Sequence, residues 1–258
     1  IGPFGIQPSE FMKLSLILLA SCLLPHIKTL WDRRAFLLAI AFAMPTVITL
    51  KQPDLGTTVT YFIPLGAMVL ARGVRLKHVL ALGGLAIAFL PLAWWSMKDY
   101  QRERILALLD PYRDYFGSGY QLIQSVIAVG SGGLTGKGVA KGTQSQLLFL
   151  PEAHTDFIFS VIGEELGFFG ATVFLAMVFL FLLRILTYVR FVRDTPETLF
   201  VVGSFSLLTF QYVTNLLMAL GMFPVVGMPL PFVSFGGSST LTFSLMVGML
   251  MSIYREVR

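Results

Sequence analysis

The sequence predicts an all-α fold, a polytopic membrane helical bundle of seven transmembrane helices with one long extracytoplasmic loop. Three observations predict it. Hydrophobic residues make up 55% of the 258 and charged residues 13%, too few polar side chains to coat a water-facing surface. Apolar residues gather in runs close to the 20 or so that cross a bilayer. Basic residues concentrate in alternate connections between those runs. The mean hydropathy of +0.77 excludes a soluble enzyme, a disordered tail and a disulfide-rich secreted domain. A single cysteine, Cys22, allows no intrachain disulfide.

The spans are expected at 11–27, 35–50, 55–71, 78–97, 157–183, 198–220 and 238–254. The first follows Pro8-Ser9, with Ser9 suited to cap it. The second carries Pro45, tolerated in a membrane helix whose neighbours satisfy the freed backbone groups. The third follows Pro53-Asp54, where Asp54 suits both a cap and the positive helix end. Between the fourth and fifth spans, 98–156 forms the long loop, and a loop of that length is uncommon unless functional. Within it, 101–109 and 119–129 repeat apolar residues at helical spacing, the second placing Tyr120, Ile123, Val126 and Ile127 on one stripe. The whole of 1–258 reads as one membrane domain.

Eleven of the 19 basic residues lie in four short segments: Lys28, Arg33 and Arg34; Arg72, Arg75 and Lys77; Arg184, Arg190 and Arg193; Arg255 and Arg258. These face the cytoplasm by the positive-inside rule, which puts the C-terminus inside and residues 1–10 outside. The same loops explain the net charge of +5, and no basic stretch carries a nucleic-acid reader motif. The chain opens Ile1-Gly2-Pro3 without a signal-peptide pattern and reads as the middle of something longer.

Ionisable residues at membrane depth cost free energy and point to function. Four clusters stand out, all on the expected outer side. Glu10 and Lys13, three apart, share a helix face, either as an anchoring ion pair or as the charged wall of a cavity. Asp54 is preceded by Lys51, the only basic residue of the short outer loops and able to meet an anionic ligand. Glu152, His154, Asp156, Glu164 and Glu165 place five ionisable groups within fourteen residues at a loop-to-helix junction. Asp156 enters the apolar bundle there, where burial raises a carboxyl pKa and a nearby cation lowers it, and it is a candidate general base. Glu164 lies two turns deeper and needs a partner. A zinc site at Glu152, His154 and Asp156 is disfavoured, since no His-x-x-x-His pair exists.

The fourth cluster, 224–239 (PVVGMPLPFVSFGGSS), holds three prolines, three glycines and three serines. Irregular backbone of this kind must be buried in protein or line a cavity, and Gly236-Gly237-Ser238-Ser239 could turn amide donors toward an anion. The stretch 130–138 lacks Walker spacing and reads as a flexible hinge, with a backbone contact to pyrophosphate as the alternative.

The stretches QPSEFMK, KQPDLGT, GSGYQLIQSVIAVGSGGLTGKG, LPEAHTDFIFSVIGEELG and GMPLPFVSFGGSS, in this order across nearly the whole chain, resemble the SEDS family (shape, elongation, division and sporulation). The elongation branch, RodA, is more similar than the division branch, FtsW. The resemblance implies a ten-helix fold with cytoplasmic ends, of which these would be the last seven. It implies a peptidoglycan glycosyltransferase that polymerises lipid II at the outer face of the bacterial cytoplasmic membrane for cell elongation and rod shape. Undecaprenyl pyrophosphate leaves, and a class B penicillin-binding protein crosslinks the strands. By position in the motif, Asp156 matches the family's essential acidic residue, and Glu10 and Lys13 match charged residues of its central cavity. Lys51, and Arg102 or Arg104, are assigned to pyrophosphate by charge and side alone. Asp54, Glu152, His154, Glu164, Ser238 and Ser239 complete the expected substrate cavity. A divalent cation, Mg or Mn, could share the stabilisation of the leaving group, and no motif names its ligands.

Two other functions compete. A lipid II flippase suits charged cavity residues and broken helices, but the clusters gather on the outer side and no inverted repeat is evident. A non-catalytic scaffold for a penicillin-binding protein needs packing surfaces, for which Gly203, Ser204 and Ser206 are candidates, and needs no essential carboxylate.

Overall fold

Helices account for every regular element in the described residues: α1 (Pro8–Leu23), α2 (Arg33–Lys51), α3 (Leu55–Ala71), α4 (Asp99–Leu109), α5 (Ser118–Ser131), α6 (Thr143–Gln146), α7 (Ile158–Tyr188), α8 (Thr195–Ala219) and α9 (Gly237–Val257). The structure, a computed structural model, describes residues 6–29, 31–52, 54–73, 97–114, 117–147, 149–192 and 195–257, with isolated positions between 77 and 95. Five helices are long and apolar enough to cross a membrane, and Leu55–Ala71 is a shorter apolar helix. These six coincide with six of the expected spans. The expected span 78–97 falls almost wholly outside the described residues. The chain is a multi-pass membrane protein.

Local chemistry sets the ends. Helix α1 starts at Pro8, with Gln7 at its cap and no side-chain cap bond. Ser9 therefore does not cap it; proline takes the first helical position because no backbone partner is lost there. Asp54 does cap α3, its Oδ1 accepting the Thr57 N–H at 2.9 Å. Pro45 sits inside α2 and Pro64 inside α3. Beside Pro45, the Thr46 hydroxyl donates to the Phe42 carbonyl at 2.6 Å and the Thr49 hydroxyl to that of Pro45 at 2.9 Å.

The chain divides into two compact units. The first comprises Ile1–Arg75, Phe179–Gln211 and Gly236–Arg258. In it α1 packs against α2, α3 and α9, around buried Ile17, Ala20, Met68, Phe243 and Met246. A Cβ on Gly203 would lie 2.8 Å from Met68 Sδ and 3.0 Å from Ile17 Cγ2. Gly203 and Ser204 are thus buried inside the unit, and Ser206 donates to the Gly203 carbonyl at 2.9 Å. The small size of Gly203 and Ser204 serves close packing within the unit, and Ser206 is half-buried.

The second unit comprises Leu76–Val178 and Tyr212–Phe235. Both loop helices expected from apolar spacing form, as α4 and α5. The expected stripe on α5 is displaced by one position. Gly119, Leu122, Ser125 and Ala128 are buried, while Val126 and Ile127 are each 45% exposed. Close approach decides this, because small residues admit neighbouring backbone where the larger apolar ones would not. A Cβ on Gly119 would meet the Pro111 carbonyl at 2.1 Å. Ser125 bonds the Ser160 hydroxyl at 2.6 Å and the Ala219 carbonyl at 2.7 Å. The core here joins Leu122, Ala128, Leu150, Ala153, Phe157, Met218 and Val225.

Candidate active site

The segment before α7 is folded into a tight turn by Glu152. Its φ of 53° is uncommon for a residue with a side chain. Its carbonyl accepts the N–H groups of Thr155, Asp156 and Phe157 at 3.2, 3.1 and 3.3 Å. Phe157 is thereby driven fully into the core, and Asp156 is left half-buried at the helix entrance. Strain of this kind persists where the surroundings over-determine it, and they do so here. Three consecutive carbonyls each accept a bond. His154 is held by the Phe235 N–H at 2.9 Å, Thr155 by the Ser234 hydroxyl, and Asp156 by Asn215 Nδ2 at 2.8 Å.

The irregular stretch 224–235 is the other half of this arrangement. Asn215 Nδ2 also donates to the Met228 carbonyl at 2.8 Å. Tyr212 Oη donates to that of Pro231 at 3.1 Å, and the Leu230 N–H to Ser234 Oγ at 2.7 Å. Proline-rich backbone is thus satisfied by side chains of α8 and by its own serine, as burial requires. Gly227, at φ 68°, lies against the carboxylate; a Cβ there would sit 3.4 Å from Asp156 Oδ2.

Burial pushes the Asp156 carboxyl up to about 6, with the Glu152 charge adding to the rise and Arg104 opposing it. An acid with that pKa is mostly ionised at neutral pH yet more basic than an exposed aspartate, which suits proton abstraction. The two candidate arginines differ. Arg102 donates to the Trp94 and Trp95 carbonyls at 3.0 and 2.8 Å. Arg104 is exposed, its guanidinium 5.9 Å from the Tyr100 ring centre, and its charge acts on Asp156. Glu152 and His154 are exposed, the former accepting the Thr155 hydroxyl at 2.8 Å.

Glu164 has the partner its position demanded. Fully buried, it accepts Lys137 Nζ at 2.8 Å, Thr143 Oγ1 at 3.1 Å and the Gln144 N–H at 2.9 Å. The glycine-rich stretch carrying Lys137 is clipped into a break in α7 at Gly167, where φ is 66° and ψ −165°. In an unbroken helix the Glu164 carbonyl would accept the Phe168 N–H. Instead it accepts that of Lys137 at 3.0 Å, while Phe168 donates to the Gly133 carbonyl at 2.9 Å. The Glu165 carbonyl and Phe169 N–H are exchanged likewise, to Gly138 at 3.0 Å and Leu134 at 3.1 Å. A Cβ on Gly132 would lie 2.0 Å from the Gly163 carbonyl oxygen, and one on Gly136 2.1 Å from that of Glu165. The stretch is therefore a packed clasp and not a flexible hinge, and the Lys137 and Gly138 amides are spent on α7 rather than offered to a phosphate.

The other expected residues lie in the first unit. Lys13 Nζ donates to Glu10 Oε1 at 2.6 Å, both residues 2% exposed, and Glu10 Oε2 has no hydrogen-bond partner among the described residues. Lys51 is exposed at the end of α2. Ser238 Oγ accepts the Gln7 N–H at 2.9 Å, and Ser239 is buried in the first turn of α9. Between α1, α2 and α3 lies a cavity of about 310 Å³, lined by Gln7, Ser9, Met12, Met44, Ile48 and Tyr61 among others. Among the described residues no three His, Cys, Asp or Glu side chains converge.

Sequence reasoning missed Lys137, Asn215 and Ser234. Asn215 had a signal, an amide in an apolar span four residues after Gln211, and Ser234 lay in the proline-rich stretch already singled out. Lys137 had no signal pointing to Glu164.

The family FTSW_RODA_SPOVE, described as cell cycle protein, matches residues 1–258. The peptidoglycan glycosyltransferase MrdB of Escherichia coli strain K12 is 40% identical over 265 residues, covering 98% of this chain and 69% of that relative. A solved peptidoglycan synthase complex that coordinates polymerization and crosslinking contains a chain 35% identical with a TM-score of 0.80, covering 99% of this chain and 72% of that one. The crystal structure of the rod shape determining protein RodA of Thermus thermophilus is 29% identical with a TM-score of 0.65, covering 99% of this chain and 68% of that one.

Proposed function

This chain belongs to the family of FtsW, RodA and SpoVE, and on that premise we propose that it is a peptidoglycan glycosyltransferase acting in cell wall synthesis. Its substrate is lipid II, polymerised into glycan strands at the extracytoplasmic face of the cytoplasmic membrane, with the C-terminus in the cytoplasm. A class B penicillin-binding protein is the partner that crosslinks the strands.

The observation that carries this reading is the half-buried Asp156, raised to about 6 at the end of a segment pinned through three carbonyls. The acceptor sugar 4-hydroxyl attacks the anomeric carbon of the donor sugar; the new glycosidic bond forms as the bond to undecaprenyl pyrophosphate breaks. Asp156 takes the hydroxyl proton. Arg104, exposed and electrostatically coupled to Asp156, is assigned to the anionic leaving group in preference to Arg102, whose guanidinium is occupied by two carbonyls. Glu10 and Lys13 form a buried charged pair that organises the first unit. A divalent cation carried by the pyrophosphate would supply further charge neutralisation.

The test is lipid II polymerisation by the full-length protein with its penicillin-binding partner, transpeptidation blocked. Strands from wild type and none from folded, partner-bound Asp156→Asn are expected. Equal strand formation by both removes Asp156 from the mechanism. Strands from neither, beside an active control enzyme, transfer the reading to a flippase or scaffold.

A further inference from the structure

We propose that Asn215 and Ser234 are positioning residues for the polymerisation reaction, which together hold the backbone of Asp156 at the depth where its carboxylate meets the acceptor hydroxyl. The proposal rests on the reading of Asp156 as the base.

Asn215 is 0% exposed. Its amide group has two N–H donors, and both are committed, to Asp156 and to Met228, each at 2.8 Å. Its Oδ1 is buried without a partner among the described residues. A buried amide with an unsatisfied oxygen is costly, and an isosteric Leu would avoid that cost, so packing alone does not account for Asn at this position. What Asn provides that Leu cannot is a fixed distance between the segment ending in Asp156 and the stretch 224–235.

Ser234 repeats the arrangement one residue earlier. Its hydroxyl accepts the Leu230 N–H at 2.7 Å and donates to the Thr155 carbonyl. Two side chains thus grip successive peptide units, and Phe157 anchors the next residue in the core. The Asp156 backbone has little room to slide along its own direction. A misplacement of about 1 Å at a reacting group costs about 100-fold in rate. Glu152, on the same turn, and Arg104, on α4, are the charged groups acting on Asp156. Displacement of its carboxylate toward solvent changes all three influences, so the acid limb of the pH–rate profile reports it.

The experiment compares full-length wild type, Asn215→Leu, Ser234→Ala and Asp156→Asn, each with its penicillin-binding partner. It reads kcat and KM for lipid II per folded molecule and the pH profile. We expect kcat to fall about 10- to 100-fold in Asn215→Leu and about 10-fold in Ser234→Ala, with KM moved less than about threefold. The acid limb should move to lower pH in at least one of the two. An unchanged kcat per folded molecule in both variants, or an unmoved acid limb in both, overturns the proposal even when Asp156→Asn is inactive. If Asn215→Leu does not fold, Ser234→Ala carries the test alone. Wild-type polymerisation by Asp156→Asn overturns the reading of the base itself, and this proposal with it.

Discussion

Lys137 Nζ lies 2.8 Å from Glu164 Oε1, and the carboxylate is fully buried while the lysine side chain is 27% exposed. The two are 27 residues apart in sequence. Their pairing fastens the glycine-rich stretch to the broken helix α7, and the asymmetry of burial gives an asymmetric prediction. Removing one partner of a buried pair costs about 3–5 kcal/mol where the charge left behind is uncompensated, and less where that charge keeps other hydrogen-bond donors. Glu164→Ala should therefore destabilise by about 3 kcal/mol, since five polar groups lose their acceptor. Lys137→Ala should cost about 1 kcal/mol, because Thr143, Gln144 and Ser145 still donate to Glu164. Thermal unfolding in detergent ranks the two; equal losses would contradict the clasp.

The break in α7 makes a second prediction. Gly167 has φ 66°, and a Cβ there would lie 2.2 Å from the Gly136 nitrogen. Gly167→Ala combines strain with a backbone clash and should cost about 3 kcal/mol or prevent folding. Gly130→Ala meets nothing within 4 Å and lies within α5, where Ala is favoured over Gly by about 1 kcal/mol. The pair of melting temperatures should move in opposite directions.

The buried pair of Glu10 and Lys13 should behave as a unit. Lys13→Met leaves an uncompensated carboxylate and should destabilise by about 3–5 kcal/mol. The double change Glu10→Leu/Lys13→Met, which removes both charges, should recover most of that loss. A double-mutant cycle on thermal stability checks it; additive losses would show that the two charges are not coupled.

The pH profile follows from Asp156. If it takes the proton, polymerisation should fall on the acid side with a midpoint near 6. Glu152→Gln removes a charge that raises the carboxyl and should move the midpoint down. Arg104→Gln removes one that lowers it and should move the midpoint up. Stability has the opposite sign from activity. The folded carboxyl holds its proton more tightly than the ordinary 3.8, so the native state binds more protons between about pH 4 and 6 and loses stability as pH rises through that window. Melting temperatures of wild type and Asp156→Asn across pH 4 to 7 check this, and the variant should lack the slope.

Much was legible in the residues alone. The described spans lie where apolar runs reach membrane length, Asp54 caps α3, and helices form in the long loop where apolar spacing repeats. These depend on composition, periodicity and neighbours a few positions away. The face that α5 buries was not legible, since close approach of the Pro111 carbonyl at Gly119 outweighs the hydrophobicity of Val126 and Ile127. The supposed hinge at 130–138 was misread for a related reason: glycine serves flexible chain and tight packing equally, and only the neighbour decides between them.

Local sequence identifies which groups are expensive to bury: a carboxylate at 164, an amide at 215 and the irregular backbone leading to Asp156. It does not say which groups satisfy them. Those partners come from 27, 59 and 79 residues away, in the bonds of Lys137 to Glu164, Asn215 to Asp156 and Ser234 to Thr155. Only the tertiary structure decides these pairings, because each is settled by which backbone can approach which within hydrogen-bond distance.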